Sequence, residues 1–157
     1  MTKLLILFAA MSFTSALAGA QELSENIFKG ARVVYVKNTL TADENYTLAG
    51  KALVALEYGI GKNEKEFGLI ESKDLSMRDP VGSPHIQRFD ITVQDSLVKI
   101  VSHTAFNHSN YGGDNQLGTN YALQPLVFRK KVFGGLGLFQ GLVNIAQKIE
   151  GQIFYSK

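Results

Sequence analysis

The chain has no cysteine, no tryptophan and only three prolines among 157 residues. Without a thiol there is no disulfide, no thiolate metal ligand, no cysteine nucleophile and no cysteine to carry a lipid at a processed N-terminus. The fold must hold by burial alone. A strong charge of one sign is lacking too. Its 16 basic and 14 acidic side chains leave a formal charge of +2, and both signs are interspersed along most of the chain, so no nucleic-acid partner is expected. The one basic cluster, Arg129-Lys130-Lys131, suits a solvated strand edge.

Motifs of chemistry are also missing. Neither G-x-S-x-G nor H-E-x-x-H occurs, so a serine elbow and a paired-histidine zinc helix are unsupported. In Gly135-Leu136-Gly137-Leu138-Phe139-Gln140-Gly141 the third glycine comes one residue too late for a dinucleotide loop, and no P-loop lysine follows. Close packing of a helix on a sheet explains those glycines better, and no cofactor is expected.

A long hydrophobic run occurs at the N-terminus. Lys3 supplies a positive charge, Leu4 to Phe13 are mostly apolar, and Ala16-Leu17-Ala18 and Ala18-Gly19-Ala20 offer the small-x-small pattern of a cleavage site. The run is too short for a stable span, because crossing roughly 30 Å at about 1.5 Å per residue takes about 20 apolar residues. Residues 1–20 are therefore predicted to be a cleavable signal peptide, and 21–157 one globular domain of ordinary size. The mature protein is expected outside the cytoplasm, in a periplasm or the extracellular medium.

In that domain, Leu23, Ile27 and Phe28 repeat at helical spacing before Gly30, which predicts a short N-terminal helix. The β-branched and aromatic run within 31–38 predicts a first strand. Ala52, Val54, Leu56, Tyr58 and Ile60 alternate, and Phe67 and Leu69 resume the period after Gly61 to Glu64, which predicts a hairpin. Phe89, Ile91 and Val93 alternate with Arg88, Asp90 and Thr92, turn at Gln94-Asp95-Ser96, and return from Leu97 to Phe106 as the clearest hairpin. Asp79-Pro80 and Gly82-Ser83-Pro84 break the backbone between the two hairpins and predict a surface loop.

Ala122, Leu126, Phe128 and Val132 outline another extended segment, pushed to an edge or bulge because Pro125 has no N–H to donate. Leu138, Leu142, Ile145 and Ile149 lie on one helical stripe, predicting a helix over 137–150 capped at Gly151, with a last strand over 152–156. Together these predict a mainly β, β-rich α+β fold. Its curled antiparallel sheet forms a small barrel or sandwich, with one C-terminal helix packed on it. A lipocalin-like barrel has a similar length and a late helix, but the missing tryptophan removes that family's glycine-x-tryptophan signature.

The polar stretch 107–120 reads as a long exposed loop, and loops on rigid scaffolds often hold ligands. The predicted binding loop comprises His103, Asn107, His108, Asn110, Tyr111 and Asp114. His103, His108 and Asp114 have no strong metal spacing and no metal site is assigned, while His85, beside Pro84, reads as an ordinary loop histidine. Residues 132–146 contain no charge, follow the basic cluster Arg129-Lys130-Lys131 and offer a membrane contact. The expected function is a non-catalytic exported domain that binds a small apolar molecule or a cell-envelope component. A small hydrolase-type enzyme of unknown reaction, or an envelope protein held at a membrane surface, is the alternative. Expression with export is expected to yield a chain lacking residues 1–18 or 1–20, read as intact mass; full-length chain in the exported fraction would refute the leader.

Overall fold

The computed structural model describes residues 23–78, 82, 84–106, 122–129 and 135–157. Its elements run β1 (Val33–Lys37), α1 (Ala42–Ala55), β2 (Ile60–Glu64), β3 (Leu69–Ser72), β4 (Leu75–Arg78), β5 (Pro84–Gln94), β6 (Leu97–Phe106), β7 (Gln124–Pro125), α2 (Gly135–Gln147) and β8 (Gln152–Ser156). The strands form one antiparallel sheet in the order β2-β3-β5-β6-β1-β8, with β4 beside β5 and β7 beside β6. The fold is β-rich α+β with a C-terminal helix on the sheet, as the hydropathy pattern predicts, and the sheet stays open instead of closing into a barrel.

The β5–β6 hairpin organises the sheet. Its register places Phe89 opposite Ser102, Ile91 opposite Ile100 and Val93 opposite Val98. These apolar residues point to one face because side chains alternate along a strand. There they meet Val34, Val36 and Ile70 from neighbouring strands, Ala49, Ala52 and Leu53 from α1, and Phe139, Leu142 and Ile145 from α2. Both helices therefore cover the same face.

Helix α2 buries Leu138, Leu142 and Ile145 of the predicted stripe and ends at Gln147, short of the predicted 150, with Ile149 buried just beyond it. Gly141 lets it come close: a Cβ there would lie 2.6 Å from Phe89 Cζ. Phe89 is also stacked on Tyr58, with ring centroids 4.8 Å apart. Gly151 sits at φ +147, and a Cβ would meet the Lys37 carbonyl oxygen at 2.5 Å, so the turn into β8 needs a residue without a side chain.

Helix α1 is a correction to the strand predicted around Ala52. Period two and period 3.6 overlap at Ala52 and Leu56, but Val54 is 62% exposed while Asn45, Ala49, Ala52 and Leu53 are buried. Thr41 and Glu44 start the helix as a capping box. Glu44 N–H donates to Thr41 Oγ1, and the Thr41 amide and hydroxyl both donate to Glu44 Oε2. Those two donors hold the Glu44 carboxyl below its ordinary range.

The first predicted hairpin also shifts along the chain. Gly61 to Glu64, expected as its turn, belong to β2, and the reversal falls on a 3-10 turn at Lys65–Phe67 closed by Gly68 at φ +62. Gly61 allows a bulge, because a Cβ there would lie 2.8 Å from the Ser72 carbonyl oxygen. Ser72 in turn accepts a 2.9 Å bond from Phe89 N–H where β3 gives way to β4.

The N-terminal segment forms no helix. Ser24 and Tyr155 instead exchange both backbone hydrogen bonds, 3.0 and 2.7 Å, along the outer side of β8. Pro125 lies in the short β7, as its missing donor requires. The loop predicted over 79–84 is described only at Gly82, which is exposed at φ +89, and at Pro84, which opens β5.

No described helix is long and apolar enough to cross a membrane. Gly141→Ala is expected to destabilise the fold by a net of about 1–2 kcal/mol in urea unfolding, since overpacking against Phe89 outweighs the gain of about 1 kcal/mol in helix propensity. Adding Phe89→Leu should make the pair less than additive, and full additivity would overturn the contact.

Candidate functional site

The register that aims Phe89 at the helices aims its neighbours the other way. Across the sheet, Arg88 lies opposite His103, Asp90 lies between Glu71 and Val101, and Thr92 lies between Leu69 and Lys99. Val101 and Lys99 continue to Val33 and Tyr35 of β1, which lie opposite Ser156 and Phe154 of β8. These residues form the helix-free face. On it, Val33, Tyr35, Ile86, Ala105 and Ser156 are all buried.

Within it, Asp90 stands between a guanidinium and an imidazole. Arg88 Nε is 3.4 Å from Asp90 Oδ1, and His103 Nδ1 is 3.0 Å from Asp90 Oδ2. The three side chains are 32, 25 and 24% exposed. Arg88 Nε, Asp90 Oδ1 and His103 Nδ1 are nevertheless shut off from solvent without an aligned hydrogen bond. Such a group costs free energy unless something else supplies its partner.

A histidine oriented by a carboxylate is also part of a hydrolytic triad. Here its neighbours on the face are Arg88 and Pro125 across the strands and Val101 and Ala105 along β6. Among the described residues none of these is a nucleophile.

Of the predicted binding loop, His103 lies in this cluster, whereas Asn107, His108, Asn110, Tyr111 and Asp114 lie outside the described residues. Among the described residues no three histidine, aspartate or glutamate side chains are grouped to hold a metal ion. His85 is a correction: it is fully buried on β5 and not a loop histidine. Nearby, Gln87 is buried on the helix side, where its amide donates to Ser102 Oγ at 2.9 Å and to the Leu138 carbonyl at 3.0 Å. That polar group is fully engaged in tying α2 to the hairpin.

Comparison with known proteins leaves the assignment to the geometry. No family model matches the chain, and no curated protein does. Among solved structures the chain is similar to a TBP-like protein from Parabacteroides distasonis, at 13% identity over 80% of this chain and 99% of that one, with a TM-score of 0.42. A likeness of that size carries no argument.

A concavity of about 410 Å³ lies beside the start of α1 and is lined by Leu40, Asp43, Glu44, Thr47, Leu48 and Glu150. Two of its three carboxylates have other work: Asp43 pairs with Lys65 at 3.2 Å and Glu44 caps the helix. Arg88 and Asp90 were legible as charges on a strand, but only the hairpin register brings them to His103. In a double-mutant cycle, Asp90→Asn and His103→Gln are expected to couple by about 0.5–1 kcal/mol, the range for a partly exposed ion pair. Zero coupling in thermal or urea unfolding would remove the pair from the site.

Proposed function

We propose that this chain is an exported, non-catalytic binding domain that takes a small molecule or a cell-envelope component on the helix-free face of its sheet. The observation that carries this reading is the trio Arg88, Asp90 and His103, whose inward polar atoms lack aligned hydrogen bonds on a face that neither helix covers. The three side chains keep about a quarter to a third of their surface exposed, so the rest of the guanidinium, carboxylate and imidazole can meet the polar groups of a ligand. The leader over residues 1–20 supports a role outside the cytoplasm.

The test is a titration of isotopically labelled mature chain with fragments comprising carboxylic acids, amines and neutral aromatics, followed by amide shifts. Fragments that bind are expected to move Arg88, Asp90, Val101 and His103, and Asp90→Asn should weaken the best of them about tenfold, equivalent to roughly 1.4 kcal/mol. Shifts confined to the concavity beside α1, or hits indifferent to Asp90→Asn, would overturn the assignment.

A further inference from the structure

The helix-free face is divided by charge. On the side of β2, β3 and β5, Glu64, Glu71 and Asp90 are interleaved with Lys62 and Arg88. On the other side, the residues that β6, β1 and β8 direct to this face include Lys99 and Lys37 and no acid. Lys99 lies opposite Thr92 on one side and Tyr35 on the other, and Lys37 lies two residues beyond Tyr35. That places the lysines on a cross-strand diagonal, with attachment points about 7–8 Å apart.

The two cations are differently held. Lys37 Nζ lies 4.9 Å from the centroid of the Phe154 ring, a cation–π contact that restrains a long side chain without neutralising it. Lys99 is half-buried on the central strand. Among the described residues neither lysine is in an ion pair. The Glu25 carboxylate, which accepts from Gln152 Nε2 at 2.6 Å, keeps its charge near Lys37 but is not ion-paired with it. Two neighbouring ammonium groups that no carboxylate pairs repel each other, and an anion across them turns that repulsion into attraction.

We infer that Lys37 and Lys99 form a two-point site for an acidic polysaccharide, with Phe154 as the residue that positions Lys37. This deepens the binding role proposed above and rests on it. The formal charge of the whole chain is only +2, so affinity for a polyanion has to come from a local arrangement. Val33 and Tyr35 are 8 and 9% exposed, which leaves them too covered to enter a lipid layer. Phe154 carries Lys37 on its ring, so it offers no bare stacking platform of the kind that single-stranded nucleic acid uses. Thr92 flanks Lys99, and Gln94 lies in the cross-strand row of Lys37. Their hydroxyl and amide groups suit the alcohols of a sugar chain, while the lysines take its carboxylates or sulfates.

Dextran sulfate and neutral dextran are the probes, used with mature chain whose variants unfold at the wild-type temperature. Wild type is expected to bind dextran sulfate in a salt-dependent way and to ignore neutral dextran. Combining Lys37→Glu with Lys99→Glu should weaken binding tenfold or more, and Phe154→Leu, which keeps every charge, two- to fivefold. Reversing Lys51 and Lys148 instead, an equal change in net charge, should leave binding within twofold. Equal loss in that control pair, or equal affinity for a DNA duplex or phosphatidylglycerol vesicles, overturns the inference. Amide shifts separate the two levels. Dextran sulfate shifts at Arg88 and His103 without Lys37 and Lys99 would discard this site and keep the binding face, whereas no shift anywhere on the face would discard both.

Discussion

The close approach of α2 to β5 at Gly141 is the constraint from which the rest of the architecture follows. A methyl group at that position would lie 2.6 Å from Phe89 Cζ, so the helix rests on the sheet at a distance only glycine allows. The same ring stacks on Tyr58, between α1 and β2. One buried aromatic thus fixes the height of the second helix and the exit of the first. Because α1 and α2 share the face that Phe89 occupies, Arg88, Asp90, Lys99 and His103 are left on the other. The proposed binding surface is in this sense a by-product of how the core is closed.

A polar knot does at the helix start what Phe89 does in the middle. Asn45 is fully buried, and its amide group donates to Asn38 Oδ1, to the Leu40 carbonyl and to the Gln94 carbonyl, while its oxygen accepts from Asn38 Nδ2 at 2.7 Å. Asn38 Nδ2 also donates to the Glu150 carbonyl at 2.8 Å. Asp95 accepts from Ala42 N–H at 2.8 Å, satisfying one of the helix's orphan donors. These bonds join β1, α1, the β5–β6 turn and the segment before β8. Leaving such a network half made is expensive in a low-dielectric interior, which gives one arrangement of these elements an advantage over near alternatives.

The parts of the fold that were legible in the residues are those where one period dominates. Phe89, Ile91 and Val93 alternate against polar neighbours, and Leu138, Leu142, Ile145 and Ile149 fall on one stripe; both patterns survive into the structure as a buried face. Helix α1 was missed because its buried stripe begins with Asn45 and Ala49, which carry little hydrophobic signal, while Val54 supplies a misleading one. Its clearest mark is Thr41 with Glu44 three residues on, a pattern of side-chain chemistry and not of hydropathy. The site turned on a single residue of turn length. Reading Gln94 into the turn shifts every cross-strand partner, whereas the observed reversal at Asp95-Ser96 pairs Gln94 with Leu97 and so Arg88 with His103. Ser96 at φ +59 is the local feature that makes the tighter turn, and an L-residue there is not a strong sequence cue.

The two outer strands have a further consequence. Strand β8, Gln152–Ser156, contains no charge and combines isoleucine, phenylalanine and tyrosine, a composition that in an exposed row of amides would recruit copies of itself. Ser24 occupies the Tyr155 amide and carbonyl, and at the opposite border Gly61 distorts β2 while Lys62 adds a charge. These two ends of the β2-to-β8 path are thereby made poorer templates for a strand from a second copy, one by being partly paired and the other by being bent and charged.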